Sequence, residues 1–204
     1  LNICVFASGA GSNFKAILDS IKKGNLSSRV CLLITNNPDC GAVKIAEKNK
    51  IDHLTINKKL YAELSEKEYS DKFLAALKKY EIEFIVLAGY MKIVRPEVLR
   101  KYRNKIINIH PALLPSFGGK GMYGINVHKA VIASGVKVSG ITVHYVNENY
   151  DEGKIIFQKC CKVKTGDDEF SLQKRVLRME HRYYPKVIKS IEDLEFGISN
   201  LEFI

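Results

Sequence analysis

Asn108 and His110 are the two residues of this sequence best placed to do chemistry together. They lie two positions apart at the end of the apolar run 106–109, and Pro111 follows them. Residues two apart in a β-strand point to the same face, so both side chains are expected to project together. An amide that donates to an oxyanion, beside an imidazole that moves a proton, suits acyl transfer. The alternative is an Asn and a His that hydrogen-bond only neighbouring backbone groups.

A carboxylate beside His110 would raise its pKa and orient its ring. Asp151 is a candidate in an acidic turn between two strand-like segments, but Glu148 and Glu152 lie in the same turn. The residues alone do not choose among the three, and a solvated acidic turn is the alternative. The sequence has no G-x-S-x-G motif and no cysteine placed for nucleophilic attack, which favours direct transfer between two bound substrates.

A glycine-rich loop follows the first apolar run. Gly9 and Gly11 are similar to the start of the dinucleotide motif G-x-G-x-x-G, but Phe14 stands where the third glycine would be. The start of the next helix leaves backbone N–H groups free, which suits one phosphate at Gly11, Ser12 and Asn13 better than NAD. The alternative is a tight turn in which Ser12 or Asn13 simply caps the helix.

Strand-like and helix-like segments alternate through the first half of the chain, and the strands are apolar on both faces. This pattern predicts an α/β fold with a doubly wound, mostly parallel sheet. The binding crevice of such a sheet lies beyond the carboxyl ends of its strands, where polar residues occur in this sequence. The predicted strands are 3–7, 30–35, 53–56, 84–88 and 106–109, and the predicted helices cover 13–23 and 41–49, then begin at Ser65 and at Pro96.

The second half of the chain does not continue the regular alternation of strands and helices. Residues 111–126 are rich in Pro and Gly and too long for an ordinary connection, so we expect a functional loop. A long helix is predicted over about 168–191. Its buried stripe is expected to comprise Leu172, Val176, Met179, Tyr183, Val187 and Ile191. Between the loop and this helix, the pattern predicts a short helix and an antiparallel strand pair, over 127–134, 140–146 and 154–163.

Composition narrows the classes of protein. The 204 residues predict a single domain, with halves 1–110 and 111–204. A hydrophobic content of 46% is typical of soluble globular proteins, and no apolar run approaches the ~18 residues of a membrane helix. The five cysteines lack C-x-x-C or zinc spacing, which predicts free thiols, no metal site and a reducing cytoplasm. The net charge of +10 fits nucleic acid, an anionic small molecule or a lysine-rich surface alone.

Several segments of the chain resemble the phosphoribosylglycinamide formyltransferase family, in the same order. They are Ser8–Asn13, Leu87–Ile93, Asn108–Pro115, Thr142–Val146 with Asp151–Gly153, and Met179–His181 with Tyr184 and Pro185. The resemblance implies a Rossmann-like formyltransferase fold. It also implies transfer of a formyl group from 10-formyltetrahydrofolate to the amine of 5-phosphoribosylglycinamide (glycinamide ribonucleotide), a step of de novo purine synthesis.

The resemblance further implies roles for individual residues. Asn108 would hold the oxyanion of the tetrahedral intermediate, His110 would donate the proton, and Asp151 would raise the pKa of His110, with His144 supporting the site from behind. The ribonucleotide would bind Gly11, Ser12, Asn13, Leu177, Arg178, Met179 and Glu180. The folate would bind, mostly through backbone groups, Met91, Lys92, Ile93, Val94, Asn108, Asn147, Glu148, Asn149 and Tyr150.

One departure from the family concerns the glutamate tail of the folate. Glu66 stands where the family often has a basic residue, so the tail is expected to meet Lys67, Lys92 or no side chain at all. The resemblance otherwise implies two small-molecule substrates, no tightly bound cofactor, no nucleic acid or membrane partner, and a monomer or homodimer.

Two alternatives stay open at this point. A methionyl-tRNA formyltransferase has a similar Asn/His/Asp site, and the +10 charge would suit tRNA. The phosphate loop and the short stretch after the long helix favour the small nucleotide instead. The other alternative is a non-catalytic basic α/β module that binds RNA.

Overall fold

The computed structural model describes residues 1–195 of the chain. The chain divides into two compact units, Leu1–Ile107 and Asn108–Ile204. The division falls inside the strand Ile106–His110, close to the predicted boundary after His110.

The first unit alternates strands and helices as the sequence predicts. In chain order they are β1 (Asn2–Phe6), α1 (Ser12–Lys22), β2 (Arg29–Thr35), α2 (Gly41–Lys48), β3 (Asp52–Thr55), α3 (Glu66–Lys79), β4 (Phe84–Leu87) and α4 (Pro96–Lys101). Strand β1 pairs in parallel with both β2 and β4, and β2 pairs in parallel with β3. The side chains of Ile3–Phe6 and Phe84–Leu87 are all buried, which explains why these strands carry no polar face.

The helix ends of this unit follow local rules. Helix α3 begins with a capping box, in which Ser65 Oγ accepts from the Glu68 N–H and the Glu68 carboxylate accepts from the Ser65 N–H. Helix α4 begins at Pro96, where the missing N–H leaves no helical bond unmade. Both starts are as predicted.

Strand β5 (Ile106–His110) leads into the second unit, which contains α5 (Ile125–Ser134), β6 (Val138–Tyr145), β7 (Ile155–Lys162) and α6 (Glu169–Glu195). Strands β6 and β7 form the predicted antiparallel pair, with Thr142 opposite Gln158. The strand order of the sheet is β3-β2-β1-β4-β5-β6-β7. The predicted fold class, a mostly parallel sheet with an antiparallel C-terminal pair and a long C-terminal helix, is therefore confirmed.

The buried stripe of α6 differs in part from the prediction. Glu180 and Tyr184 are buried, whereas Met179 and Tyr183 are only half-buried. Leu172, Val176, Glu180 and Tyr184 follow one another at steps of four residues and lie on one face of the helix. Met179, three residues after Val176, lies at the edge of that face. Within the described residues, no helix is both long and apolar enough to cross a membrane.

Candidate active site

Strand β5 presents Asn108 and His110 at its carboxyl end. His110 is 3% exposed and Asn108 is half-buried. The Asn108 amide Nδ2 lies 3.2 Å from His144 Nε2, and His144 Nδ1 lies 2.8 Å from the Tyr145 carbonyl oxygen. Because a carbonyl only accepts, His144 donates from Nδ1 to Tyr145, and its Nε2 faces the Asn108 amide. His144 therefore fixes the direction in which the Asn108 amide points.

Asp151 is the member of the acidic turn that faces the two histidines. Its Oδ2 lies 3.5 Å from His110 Nδ1, and its Oδ1 lies 3.6 Å from His144 Nε2. Oδ2 also accepts the Gly119 N–H at 3.0 Å. The other two candidates, Glu148 and Glu152, are exposed, and Glu152 accepts a hydrogen bond from Asn149 instead. The structure thus places together Asn108, His110, His144 and Asp151.

The charges of this cluster depend on burial as well as on pairing. Burial lowers the pKa of His110, and the Asp151 charge and the Phe117 carbonyl offset this only in part. For Asp151, burial raises the pKa, but contacts with His144, His110 and the Gly119 N–H outweigh it, so the pKa lies below its usual range. Asp151 thus raises the pKa of His110, as expected, but burial outweighs this effect and the net shift is downward.

The loop after β5 supplies main-chain groups to the cluster. His110 Nε2 donates to the Phe117 carbonyl at 2.8 Å. Phe117 has a φ of +58°, a left-handed conformation that turns its carbonyl toward the ring. A Cβ on Gly118 would lie 2.5 Å from Leu114 Cδ2 and 3.2 Å from Asp151 Cβ. A side chain at position 118 would therefore require the Leu114 side chain to move and Asp151 to shift slightly.

Thr142 and Gln158 hold the base of this loop. Thr142 Oγ1 accepts the Leu114 N–H at 3.0 Å and donates to the Ala112 carbonyl at 2.7 Å. Gln158 Nε2 donates to the Leu114 carbonyl at 2.9 Å. The peptide bond Leu114–Pro115 is cis. The antiparallel pair β6–β7 thereby anchors the segment that carries Phe117.

His128 on α5 is a third buried imidazole, and it is the one that sequence reasoning missed. Burial, with a smaller effect of the His110 charge, lowers its pKa to about 4. Its Nδ1 atom has no hydrogen-bond partner within residues 1–195. The sequence signal, a single His on a helix of ordinary composition, does not separate it from a surface residue.

The glycine loop of the first unit is the predicted phosphate site. Gly11 is the N-cap of α1 with a φ of +75°, and within the described residues no side chain caps the helix. A Cβ on Gly11 would lie 2.8 Å from Ala42 Cα, and a Cβ on Gly41 would lie 2.7 Å from the Ala10 carbonyl oxygen. The predicted alternative, capping by Ser12 or Asn13, does not occur. Within the described chain, helix α1 thus begins at a tight turn without a side-chain cap. Backbone N–H groups at such a helix start favour binding of an anion.

The segment after β4 is held against the end of β1 by Ser8. The Ser8 N–H donates to the Gly89 carbonyl at 3.0 Å, and Ser8 Oγ accepts the Met91 N–H at 2.9 Å. Ser8 Oγ also donates to Asn36 Oδ1 at 2.5 Å. Of the predicted folate contacts here, Met91, Lys92 and Ile93 are exposed, whereas Val94 is buried and offers only its backbone.

The remaining predicted residues lie on surfaces of their own units. Lys67 is exposed on α3, and Asn147, Glu148, Asn149 and Tyr150 are exposed between β6 and β7. On α6, Leu177 is half-buried, Arg178 is exposed, and Glu180 is buried. Glu66 accepts from Arg95 Nη2 at 2.6 Å and pairs with Lys58, so its charge is neutralised locally. No group of three or more His, Cys, Asp or Glu suited to a metal ion occurs in residues 1–195.

Comparison with known proteins gives the class. A family described as formyl transferase matches residues 1–188. The chain therefore belongs to the formyl transferase family.

The relatives within that family carry a more specific name. The chain is 38% identical to phosphoribosylglycinamide formyltransferase of Bacillus subtilis, over 96% of this chain and 95% of that one. It is 44% identical to the chloroplastic phosphoribosylglycinamide formyltransferase of Arabidopsis thaliana, over 93% of this chain and 64% of the relative. The chain thus spans less than two thirds of that plant protein.

A solved structure extends the likeness to the fold. The crystal structure of phosphoribosylglycinamide formyltransferase from Bacillus halodurans is 36% identical, with a TM-score of 0.87 and full coverage of both chains. The resemblance to this group, which the sequence predicts from its motifs, is confirmed.

Proposed function

We propose that this chain transfers a formyl group from 10-formyltetrahydrofolate to the amine of glycinamide ribonucleotide, a step of de novo purine synthesis. The observation that carries the proposal is the cluster of Asn108, the buried His110 and Asp151, with Asp151 Oδ2 3.5 Å from His110 Nδ1. The shared name of the relatives supports the choice of substrates. We also propose that residues 1–204 act as a single catalytic domain.

The reaction is a direct acyl transfer. The glycinamide nitrogen attacks the formyl carbon, and the carbonyl electrons move onto oxygen to form a tetrahedral intermediate. Asn108 Nδ2 donates to that oxyanion, because His144 already directs the amide. The bond from carbon to the folate nitrogen then breaks, and the electron pair returns to the carbonyl.

His110 moves the proton that balances this exchange. The attacking amine loses one proton, and the departing folate nitrogen gains one. Because burial lowers the pKa of His110, its protonated ring is a stronger acid than an ordinary imidazolium and gives the proton readily to the leaving nitrogen. The Asp151 carboxylate stabilises the positive ring while it exists. Delivery from Nε2 requires the Phe117 carbonyl to give way to substrate.

The substrates bind separate segments in this proposal. The ribonucleotide phosphate binds the N–H groups at Gly11–Asn13, supported by the uncapped start of α1 within the described chain. Residues 177–180 of α6 contact the rest of the ribonucleotide. The folate binds at Met91–Val94 and at 147–150, with Lys67 toward its glutamate tail.

The proposal includes partners and place. The substrates are two small molecules, with no tightly bound cofactor, no nucleic acid and no membrane partner, and the protein acts as a monomer or homodimer. The cysteines, all free thiols in the described chain, support a cytoplasmic location.

One assay tests the activity. Purified protein receives 10-formyltetrahydrofolate with either glycinamide ribonucleotide or methionyl-tRNA, and formylated product is measured by mass spectrometry. We expect formylation of the ribonucleotide alone, abolished in His110→Ala. Formylation of the tRNA alone, or of neither, would overturn the proposal.

A further inference from the structure

We propose that Ser8 is a positioning residue that couples two segments of the first unit, the glycine loop 9–13 and the segment 89–94. The inference rests on the proposed function, in which the first segment binds the ribonucleotide phosphate and the second binds the folate. Ser8 itself need not touch either substrate. Its hydroxyl sets where the backbone of Met91 lies relative to the loop that begins at Gly9.

The hydrogen bonds of Ser8 have fixed directions. The Met91 N–H can only donate, so Ser8 Oγ accepts it, at 2.9 Å. The hydroxyl hydrogen is then available for Asn36 Oδ1, which accepts it at 2.5 Å. Ser8 is 7% exposed, so bulk water competes weakly for these bonds. Replacement by alanine would leave the Met91 N–H and Asn36 Oδ1 without this partly buried partner.

The Asn36 end of this link is itself held. Asn57 Nδ2 donates to the Asn36 carbonyl at 3.0 Å, and Asn57 Oδ1 accepts the Leu60 N–H at 2.8 Å. One relay of polar groups therefore runs past the carboxyl ends of β1, β2, β3 and β4. This is the edge of a parallel sheet at which ligands bind.

The glycine loop is fixed on its other side as well. The Gly9 carbonyl accepts the Ala42 N–H at 3.1 Å. The loop is thus clamped to the start of α2, while Ser8 ties the exposed segment Met91–Ile93 to the residue just before the loop. A shift of Met91 away from Ser8 moves the folate segment and leaves the phosphate loop in place.

Loss of the Ser8 hydroxyl should therefore change the KM for the folate much more than it changes kcat. Ser8→Ala is expected to raise the KM for 10-formyltetrahydrofolate about tenfold, the effect of losing one or two partly buried hydrogen bonds. The value of kcat should change by less than about threefold, because Asn108, His110 and Asp151 are untouched. Ser8→Thr keeps the hydroxyl and should restore the KM.

Two measurements on the full chain test this. Steady-state kinetics give KM and kcat for Ser8→Ala and Ser8→Thr. Native-state hydrogen exchange by NMR reports the Met91 amide directly and needs no activity. The matched control is Ser139→Ala, since Ser139 is also buried and its hydroxyl has no hydrogen-bond partner within residues 1–195. Ser8→Cys, which keeps the size and weakens both bonds, replaces Ser8→Ala if the alanine variant does not fold.

We expect faster Met91 exchange and a raised folate KM in Ser8→Ala, and neither change in Ser8→Thr or Ser139→Ala. An unchanged Met91 exchange rate, or a loss confined to kcat, would overturn the inference. A wild-type protein that formylates neither substrate overturns the proposed function instead. An active wild type with an unaffected Ser8→Ala overturns only the role of Ser8.

Discussion

The Nε2 atom of His110 lies 2.8 Å from the carbonyl oxygen of Phe117, so a main-chain group occupies one nitrogen of the imidazole. The other nitrogen, Nδ1, faces Asp151. Since a carbonyl cannot donate, the neutral ring carries its hydrogen on Nε2. The Nε2 proton of the neutral His110 ring therefore points at the carbonyl of Phe117.

The tautomer of His110 can be measured directly. In ligand-free protein we expect ¹⁵N NMR to show the neutral ring protonated at Nε2, with a pKa below that of an ordinary histidine because the ring is buried. The missing signal in His110→Gln assigns the resonance. A neutral ring protonated at Nδ1, or a pKa above the ordinary value, would contradict the geometry.

The pairing of Asp151 with His110 predicts a large loss of turnover in two variants. His110→Ala and Asp151→Asn should each lower kcat by roughly 10²-fold or more, because proton transfer loses its acid or the charge that stabilises it. Asn preserves the shape of Asp and still accepts the Gly119 N–H. The control is Glu152→Gln, in the same turn but exposed, which should retain full kcat. Near-normal turnover in both site variants would refute the assigned roles.

His128 predicts a loss of stability in mild acid. Its pKa is about 4 in the folded protein and about 6.5 in the unfolded chain, so between these values the unfolded chain binds the extra proton. The unfolding free energy should therefore keep its full value above pH ~6.5. It should fall by up to about 3 kcal/mol as the pH drops toward ~4. The buried His110, whose pKa is also lowered, acts in the same direction.

Urea unfolding at pH 7.5 and pH 5 measures this effect. His128→Phe cannot take up a proton and should show a smaller difference between the two pH values than wild type. An equal difference in the two proteins would mean that His128 does not stay neutral in the folded state.

Substitution of Gly11 is expected to lower both the stability of the glycine loop and substrate affinity at the proposed phosphate site. Gly11→Ala combines a φ of +75° with a Cβ only 2.8 Å from Ala42 Cα, so the loop must move. We expect a loss of roughly 2 kcal/mol or more in unfolding free energy. We also expect a rise of at least about tenfold in the KM for glycinamide ribonucleotide.

Gly135→Ala is the matched control for Gly11→Ala. Gly135 has a similar φ of +71°, but within the described chain no atom lies within 4 Å of an added Cβ. It should cost about 1 kcal/mol of stability and leave the KM unchanged. Equal effects of the two substitutions would assign the loss to backbone conformation alone.

The sequence predicts those parts of the site that depend on local periodicity. The alternation along β5 puts Asn108 and His110 on one face, and the glycines predict the tight turn before α1, although not that it lacks a side-chain cap within residues 1–195. The choice of Asp151 over Glu148 needed the tertiary structure, because all three carboxylates of the turn are equivalent in sequence. The direction of the His110 pKa shift also needed the tertiary structure, because burial of the ring outweighs the charge of Asp151.

The main-chain groups could not be predicted at all. The Phe117 carbonyl and the Gly119 N–H act through backbone atoms that every residue possesses, so no residue type marks them. The stripe of α6 failed differently. Apolar residues occur on adjoining faces of the helix, and hydrophobicity alone favours Met179 over the buried Glu180.

The backbone of Asp151 narrows the evolutionary paths open to this site. Asp151 has a φ of +57°, a region that Asp and Asn enter more easily than other non-glycine residues. A change to Glu would keep the carboxylate but strain the backbone of the turn. A change to Asn would keep the backbone conformation but remove the carboxylate. Genetic drift at this codon therefore runs most easily toward a well-folded protein without catalysis. An Asp151→Asn protein is therefore expected to keep its fold while it loses turnover.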